Sequence, residues 1–258
     1  MTGAHQSSND DEFLDPLLGE LALLSGVTGI ALGGSRARGI ERPGSDWDFG
    51  VFVSEQFTVA SVRELADELS LDGHIAELGE WGPVMNGGAW LEIEGRKVDL
   101  LWRELATIER LIGEAERGEF SVVRIPFFIA GIPSYVPVAE LAFNRCVWGT
   151  VPDGRPMPDA LRTRGAAWWR ENARFDLDYA GGMAERGETA IAIGLLLRVA
   201  IELAHSRMCA GGRWVVNEKG LLAAAGLDAV SDLIAPAGTD KEVLDEVGRQ
   251  LTGLIDGT

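Results

Sequence analysis

Residues 33–53, GGSRARGIERPGSDWDFGVFV, constrain the fold of this chain more than any other stretch. Two carboxylates, Asp46 and Asp48, lie two residues apart and alternate with apolar side chains. Such alternation is typical of a half-buried β-strand. Residues i and i+2 of a strand point to the same face, so the pattern predicts that the two carboxylates project together, away from the core. Neighbouring carboxylates repel each other unless a cation lies between them, so a metal ion is expected there.

A phosphate-binding loop is predicted just before this strand. Gly33, Gly34 and Ser35 close the apolar run 30–32, and glycines allow backbone N–H groups to approach an anion closely. Arg36 and Arg38 follow, and guanidinium groups suit phosphate. A phosphate cradle beside paired carboxylates indicates metal-assisted phosphoryl or nucleotidyl transfer.

The pairs Gly34-Ser35 and Asp46-x-Asp48 resemble the signature of the nucleotidyltransferase superfamily of DNA polymerase beta type. The surrounding residues are similar to the antibiotic nucleotidyltransferases, such as those acting on kanamycin and streptomycin. The resemblance implies that Asp46, Asp48 and a third acid hold two Mg²⁺ ions. It also implies that ATP is the substrate that donates the nucleotide.

Asp99 is the candidate for the third acid. Strand-like runs at 89–93 and 96–102 flank Glu94-Gly95, which predicts a β-hairpin. Asp99 lies in the second run among apolar residues, and a buried carboxylate is rare unless it is paired or metal-bound. The alternative is an edge-strand aspartate that faces water. The resembled family carries its third catalytic acid on a later strand beside the Asp-x-Asp strand, which favours the catalytic interpretation.

The predicted fold class is α+β. A nucleotidyltransferase head with a mixed β-sheet flanked by helices is expected over residues 1–133, followed by an α-helical bundle over residues 134–258 that binds the acceptor. In the resembled enzymes such a bundle closes over the nucleotide and builds the acceptor pocket. Helices are predicted at 103–118, 138–147, 159–183, 188–210, 218–225 and 241–255, punctuated by glycine and proline.

The resemblance also implies the contacts to the nucleotide. Backbone N–H and hydroxyl groups at the start of the loop would bind the β- and γ-phosphates, and a lysine in the tail of related proteins reaches the triphosphate. The predicted nucleotide-binding residues are Gly34, Ser35, Arg38, Ser45 and Lys219.

Glu202 is the candidate for acceptor binding in the tail. It stands among apolar residues in a predicted helix, where a buried glutamate could act as general base or hold a cationic acceptor. The alternative is an ion pair with Arg198 at i−4. Whether Asp99 or Glu202 is the general base stays open from sequence alone.

Charge narrows the choice of partners. The net charge is −17, from 40 acidic and 23 basic residues, whereas polynucleotide binders carry a basic face. A small cationic acceptor is therefore expected, and a nucleic-acid partner is not. No apolar run is expected to be long enough to span a bilayer, and residues 1–12 contain no secretory segment. The chain is expected to be cytoplasmic, and either a monomer or a homodimer.

The combined prediction is a Mg²⁺-dependent nucleotidyltransferase. It would move AMP from ATP to a hydroxyl of a small, cationic molecule such as an aminoglycoside, release pyrophosphate, and thereby confer antibiotic resistance. Modification of a protein or a tRNA, as in toxin-type nucleotidyltransferases, is one alternative. A non-catalytic nucleotide-binding module with a regulatory role is another.

Overall fold

The computed structural model describes residues 12–234 and 241–257. The prediction of a cytoplasmic location used residues 1–12, and of these only residue 12 belongs to the described residues. The chain divides into two compact units. The first unit comprises residues 12–111 and Glu140–Arg155, and the second comprises residues 112–139 and 156–257 without the gap. The domain boundary predicted after residue 133 stays a prediction.

The strands, in chain order, are short and lie mostly in the first unit. They are β1 Val27–Leu32, β2 Trp47–Val53, β3 Asp72–Ile75, β4 Gly88–Ile93, β5 Arg96–Glu104, β6 Val122–Val123, β7 Ile132–Pro133 and β8 Arg145–Gly149.

The longest helices come late in the chain. In order, the helices are α1 Asp15–Leu21, α2 Gly34–Ala37, α3 Val59–Glu68, α4 Gly82–Met85, α5 Leu105–Glu116, α6 Val136–Leu141, α7 Asp159–Glu185, α8 Thr189–Ala210, α9 Leu221–Ala224, α10 Val230–Ile234 and α11 Lys241–Asp256. A 3₁₀ turn, Glu12–Leu14, precedes α1.

Within the described ranges, six strands of the first unit form one sheet in the order β3-β4-β5-β2-β1-β8. Strands β2 and β5 run parallel, and the remaining neighbours are antiparallel. The sheet is therefore mixed. Together with the helical region that follows, it confirms the predicted α+β class.

The core of the first unit lies on one face of this sheet. Alternate residues of β2, from Trp47 to Val53, pack there with residues of β5 such as Leu100 and Trp102, and with helices α1 and α3. Burial of this apolar face is the main force that holds the sheet in its register, because a one-residue slip would expose every one of these side chains. Side chains of the intervening positions emerge on the opposite face.

The predicted hairpin is present between β4 and β5. Glu94 and Gly95 both have positive φ, at 51° and 73°. A two-residue turn of this kind matches the right-handed twist of the flanking strands. It fixes the register of β5, and therefore the position of Asp99.

Two sequence predictions about local structure are wrong. Arg103 does not begin a helix, because it belongs to β5 and α5 begins only at Leu105. The helix predicted over 138–147 ends at Leu141, and the chain then forms β8, which pairs with β1. All the side chains of β8 are exposed, so this edge strand is held by its backbone hydrogen bonds and shows no alternating hydrophobic pattern.

The second unit is built on the antiparallel helices α7 and α8. Its core includes α8 residues from Ala192 to Met208, and α11 packs against both long helices. Buried Trp169 of α7 donates a hydrogen bond from Nε1 to Tyr135 Oη at 3.1 Å, which ties α7 to the start of α6. The predicted helices at 159–183, 188–210 and 241–255 correspond to α7, α8 and α11.

Helix α8 departs from the expectation that no segment could span a bilayer. By length and composition alone it is long and apolar enough to do so. The core helix of a soluble protein passes the same test, and 56% of the most apolar window of α8 is buried inside the protein. Its polar residues Arg198 and Glu202 form ion-pair contacts within the second unit.

Candidate active site

The glycine loop after β1 is joined directly to β2. The backbone N–H of Gly33 donates to the carbonyl oxygen of Asp48 at 2.7 Å. Gly34 has a φ of +61°, and a Cβ built on it would overlap the carboxylate of Asp48. Only a residue without a side chain fits there, because both the backbone conformation and the space favour glycine. The glycine loop and Asp48 therefore form one structural unit.

Asp48 and Asp99 stand side by side on the sheet. They are register partners on the parallel strands β2 and β5. Both are half-buried, and the residues that flank each of them along the strand, such as Phe49 and Leu100, are buried in the core. The two carboxylates therefore leave the same face of the sheet, the face opposite the core.

Asp46 lies one residue before β2, in the loop that leads into it, rather than on the strand itself. Arg36 holds this loop in place. Its guanidinium donates to the carbonyl oxygens of Ser45, at 2.9 Å, and Asp46, at 3.3 Å, and it lies 3.9 Å from the centre of the Trp47 ring. Arg36 thus positions Asp46. The sequence pattern indicates only a phosphate ligand at Arg36, because contacts to carbonyl oxygens leave no local sequence signal.

The electrostatics of Asp99 link it to Asp46. Burial raises the pKa of Asp99 from its ordinary value to about 6, and the negative charge of Asp46 acts in the same direction. The positive charge of Lys97 opposes the shift. A carboxyl group with a pKa near neutrality can accept a proton during a reaction and release it again.

The remaining predicted phosphate ligands of the first unit lie around the same loop. Ser35 is half-buried in the first turn of α2. Arg38 is exposed, and its Nε donates to the carbonyl oxygen of Gly34 at 3.1 Å. The Ser45 hydroxyl accepts a hydrogen bond from the backbone N–H of Arg42 at 2.9 Å, which closes the turn before Asp46.

The carboxylates of Asp46, Asp48 and Asp99 are chemically suitable ligands for Mg²⁺, because this hard cation prefers oxygen ligands. Two of the three acids are register partners, and the third raises the pKa of one of them by its charge. Over residues 12–234 and 241–257, no three or more His, Cys, Asp or Glu side chains converge closely enough to form a complete ligand group by themselves. A bound metal would thus rely on the nucleotide phosphates or water for its other ligands.

Lys219 and Glu202, the residues predicted to contact the triphosphate and the acceptor, lie in the second unit. Lys219 is exposed, in a turn before α9, and its backbone N–H donates to Asn217 Oδ1 at 3.0 Å. The helix predicted over 218–225 is shorter than expected, because α9 begins only at Leu221. The role of Lys219 towards the triphosphate stays a prediction.

Glu202 is almost completely enclosed, with 4% of its surface exposed. Its Oε1 lies 3.5 Å from Arg198 Nε, and Arg198 in turn binds Asp176 of α7. Burial and the charge of Asp176 raise the pKa of Glu202 to about 8. The contact with Arg198 is the one that the sequence offered as the alternative to acceptor binding, although the raised pKa keeps Glu202 mostly protonated at neutral pH. The structure therefore gives Glu202 a structural role. Its contact with an acceptor stays a prediction.

Comparison with known proteins finds a similarity in the first part of the chain. Residues 14–114 match the family model of the nucleotidyltransferase domain. No curated protein matches significantly.

A solved structure, that of a nucleotidyltransferase-like protein from Exiguobacterium sibiricum 255-15, is similar to the chain with a TM-score of 0.49 and 12% identity. That comparison covers 96% of this chain and 74% of the other. The matched family model spans the glycine loop, Asp46, Asp48 and Asp99, so the acids of the site lie within the matched region. Residues 14–114 are therefore similar to the nucleotidyltransferase domain, and nucleotidyl transfer is the class of chemistry that this similarity supports.

Proposed function

We propose that the protein is a Mg²⁺-dependent adenylyltransferase that moves AMP from ATP to a hydroxyl group of a small cationic molecule, such as an aminoglycoside, and releases pyrophosphate. The observation that carries the proposal is the placement of Asp48 and Asp99 as register partners on one face of the sheet, with the glycine loop against Asp48. The match to the nucleotidyltransferase domain supports the reaction class.

In the reaction, the acceptor hydroxyl oxygen attacks the α-phosphorus of ATP. The new P–O bond forms as the bond from the α-phosphorus to the bridging oxygen of the β-phosphate breaks, and pyrophosphate leaves with that electron pair. The hydroxyl proton passes to the carboxylate of Asp99, which stands beside Asp48 on the same face of the sheet. No other proton acceptor is required for the step to balance.

Asp46, Asp48 and Asp99 are the residues that would hold Mg²⁺. Bound there, the metal would supply charge stabilisation for the triphosphate and the departing pyrophosphate. Gly34, Ser35, Arg38 and Ser45 surround the loop that would orient the phosphates, and Arg36 keeps the Asp46 loop in position. Lys219 and Glu202 are the further proposed contacts to the triphosphate and the acceptor.

The cationic acceptor follows from charge. The chain carries a net charge of −17, and a protein of strongly negative net charge attracts a cation. Attraction of this kind is screened by salt, with a Debye length of about 8 Å at physiological ionic strength. The acceptor KM should therefore rise with salt concentration, whereas the affinity for ATP, held by Mg²⁺ and inner contacts, should change less. A KM that is independent of salt would contradict a cationic acceptor.

The proposal is tested by incubating the protein with Mg²⁺ and ATP labelled on the α-phosphate. The potential acceptors are a panel of aminoglycosides, lincosamides, proteins and tRNA. Label should appear on an aminoglycoside in the wild type and be absent with the Asp48→Asn variant. Label on protein or tRNA alone would replace the proposed acceptor class. Tight ATP binding with no label transferred to any acceptor would indicate a non-catalytic nucleotide-binding module instead of an enzyme.

A further inference from the structure

The face of the sheet that carries the acids continues into an aromatic surface. Trp90 of β4 is the register partner of Asp99, and His74 of β3 is the register partner of Trp90. Asp48, Asp99, Trp90 and His74 therefore form a row across four neighbouring strands. Register partners on adjacent strands project from the same face of a sheet, so the row places Trp90 beside the proposed general base.

Trp81 joins this row from the loop before β4. Its ring stacks on Trp90 with centroids 4.6 Å apart, and the His74 ring lies 5.9 Å from Trp90. A Cβ at Gly88 would collide with the Trp81 ring, so this glycine leaves the space in which the ring lies against the sheet. We call Trp81, Trp90 and His74 the aromatic cluster.

The loop that carries Trp81 is fixed by hydrogen bonds. The backbone N–H of Trp81 donates to the carbonyl oxygen of Asn86 at 3.0 Å, and Asn86 Oδ1 accepts from Gly79 N–H at 2.8 Å. Asn86 Nδ2 in turn donates to Glu104 Oε2 at 3.1 Å. The aromatic cluster is thus preorganised, which lowers the entropic cost of binding a ligand on it.

The aromatic cluster remains open to solvent although it is built from large rings. Trp90 is 46% exposed, and His74 is exposed as well. Carboxylates border it: Glu80 Oε1 lies 3.7 Å from His74 Nε2, and Asp99 stands next to Trp90. Aromatic faces attract ammonium and guanidinium groups, and nearby carboxylates add to that attraction. The chemistry therefore suits a small molecule that carries positive charge.

The order of strands separates this surface from the phosphate end of the site. The glycine loop follows β1, on one side of β2, whereas Asp99 and Trp90 lie on β5 and β4, on the other side. Asp99 is the group that would take the proton of the acceptor hydroxyl. A molecule that presents its hydroxyl to Asp99 and extends away from the triphosphate would lie across Trp90.

We propose that the aromatic cluster is an acceptor-binding subsite of the N-terminal unit, which holds an ammonium or guanidinium group of a cationic sugar while a hydroxyl of that sugar reaches Asp99. This inference rests on the proposed function, because Asp99 is taken as the base of adenylyl transfer. It makes Trp90 a specificity-determining residue. Glu202, by contrast, lies on α8 and is buried in the second unit.

Binding without catalysis tests the subsite. Kanamycin is titrated into the full-length protein by calorimetry at low salt, in the absence of ATP. Trp90→Ala should weaken kanamycin binding by roughly 3- to 30-fold, the range expected for loss of a cation–π contact. Trp90→Phe, which keeps an aromatic face, should bind within about threefold of the wild type, whereas Trp90→Leu should bind like Trp90→Ala.

Trp148 supplies the matched control. It is 41% exposed on β8, at the far edge of the same sheet, so Trp148→Ala removes an equally exposed indole away from the acids. Its affinity for kanamycin should equal that of the wild type. Equal kanamycin binding by Trp90→Ala and wild type, or no binding by the wild type, would overturn the subsite.

Failure of the subsite and failure of the proposed function give different results. If label is transferred from ATP while Trp90→Ala leaves the acceptor KM unchanged, the function stands and the subsite is wrong. If kanamycin binding depends on Trp90 but no label is transferred, the subsite stands and the proposed reaction is wrong. In an active enzyme, Trp90→Ala should raise the acceptor KM with little change in the KM for ATP.

Discussion

Asp48 and Asp99 are register partners on two parallel strands, so their carboxylates emerge side by side from the sheet face opposite the core. Burial and the charge of Asp46 raise the pKa of Asp99 to about 6. Like charges held together in this way cost folding free energy, and catalytic sites are where such costs are commonly found. Each acid of the group should therefore matter more to turnover than to folding.

Asp46 and Asp48 should be essential to turnover and dispensable for folding. Asp46→Asn and Asp48→Asn each remove a charge aimed at Mg²⁺ and should lower kcat by roughly two to four orders of magnitude. The measurement is pyrophosphate release, with thermal unfolding as the check on folding. Glu68→Gln, at an exposed carboxylate at the end of α3, is the control and should keep full activity. Near-normal turnover in either aspartate variant would remove these residues from the site.

Asp99 should set the acidic limb of the pH–rate profile. As the general base it must be deprotonated, so kcat/KM for the acceptor should fall at acidic pH. The metal-free pKa of this carboxyl is about 6, and bound Mg²⁺ favours the ionised form, so the fall should lie below pH 6. Asp99→Asn should lower kcat by about a hundredfold or more with a smaller effect on ATP binding, since it removes the proton acceptor. A substantially active Asp99→Asn enzyme would transfer the base role to another acid, of which Glu202 is the first to examine.

The raised pKa of Asp99 also predicts how the stability of the protein depends on pH. Low pH should favour folding, whereas it should disfavour catalysis. The folded protein raises the pKa of Asp99 above its ordinary value of 3.8, so the native state binds the proton more tightly than the unfolded chain does. The contribution of Asp99 is therefore most favourable at low pH and is lost as pH rises from about 4 to about 6. Asp99→Asn should accordingly be more stable than the wild type at pH 7, by roughly 1 kcal/mol after allowance for its partial exposure. Urea unfolding at pH 5 and pH 7 measures this, and an equal difference at both values would contradict it.

Gly34 should be required for the position of Asp48 rather than for the loop alone. Gly34→Ala places a Cβ against the Asp48 carboxylate, whereas Gly39→Ala puts a Cβ on an equally left-handed backbone, at φ +65°, with open space around it. Both variants should lose about 1 kcal/mol of stability from the positive φ. Only Gly34→Ala should also lose turnover. Equal activity losses in the two would mean that the contact with Asp48 does not matter.

The buried ion pair in the second unit should be structural. Arg198→Met leaves Asp176 buried without its cation and should cost about 3 kcal/mol of unfolding free energy. Glu202→Gln should cost far less at pH 7, because a pKa of about 8 means that Glu202 is mostly protonated there. Chemical denaturation gives both values. A sharply raised acceptor KM in Glu202→Gln would contradict a purely structural role and would mean that Glu202 contacts the acceptor, as the sequence suggested.

The sequence predicted local structure best where a pattern of buried residues or a turn motif determines it. The alternation of apolar residues in β2 predicted a half-buried strand and the face that enters the core, and Glu94-Gly95 predicted the hairpin that positions Asp99. Asp46 was expected on the strand beside Asp48, but it lies in the preceding loop, where contacts from Arg36 hold the chain. Such side-chain bonds to carbonyl oxygens depend on the folded path of the backbone, and local patterns do not encode them.

The misassigned helix at 138–147 has a similar cause. Strand β8 lies at the sheet edge with its side chains exposed, so its stability comes from backbone hydrogen bonds to β1 rather than from a hydrophobic pattern. The alignment of Trp90 with Asp99 was also beyond a local pattern, because it depends on pairing between separate strands. Long-range pairing is the part of the site that one sequence does not determine by periodicity.

The most direct test of the central claim is the fate of the two ends of ATP in one reaction. The protein is supplied with Mg²⁺, kanamycin and ATP that carries one label on the α-phosphate and a different label on the γ-phosphate. Adenylyl transfer requires that the α-label appear on kanamycin and the γ-label in pyrophosphate, in equal amounts, and that Asp99→Asn suppress both together. Release of the γ-label as inorganic phosphate, with the α-label remaining in ADP, would contradict nucleotidyl transfer at this site.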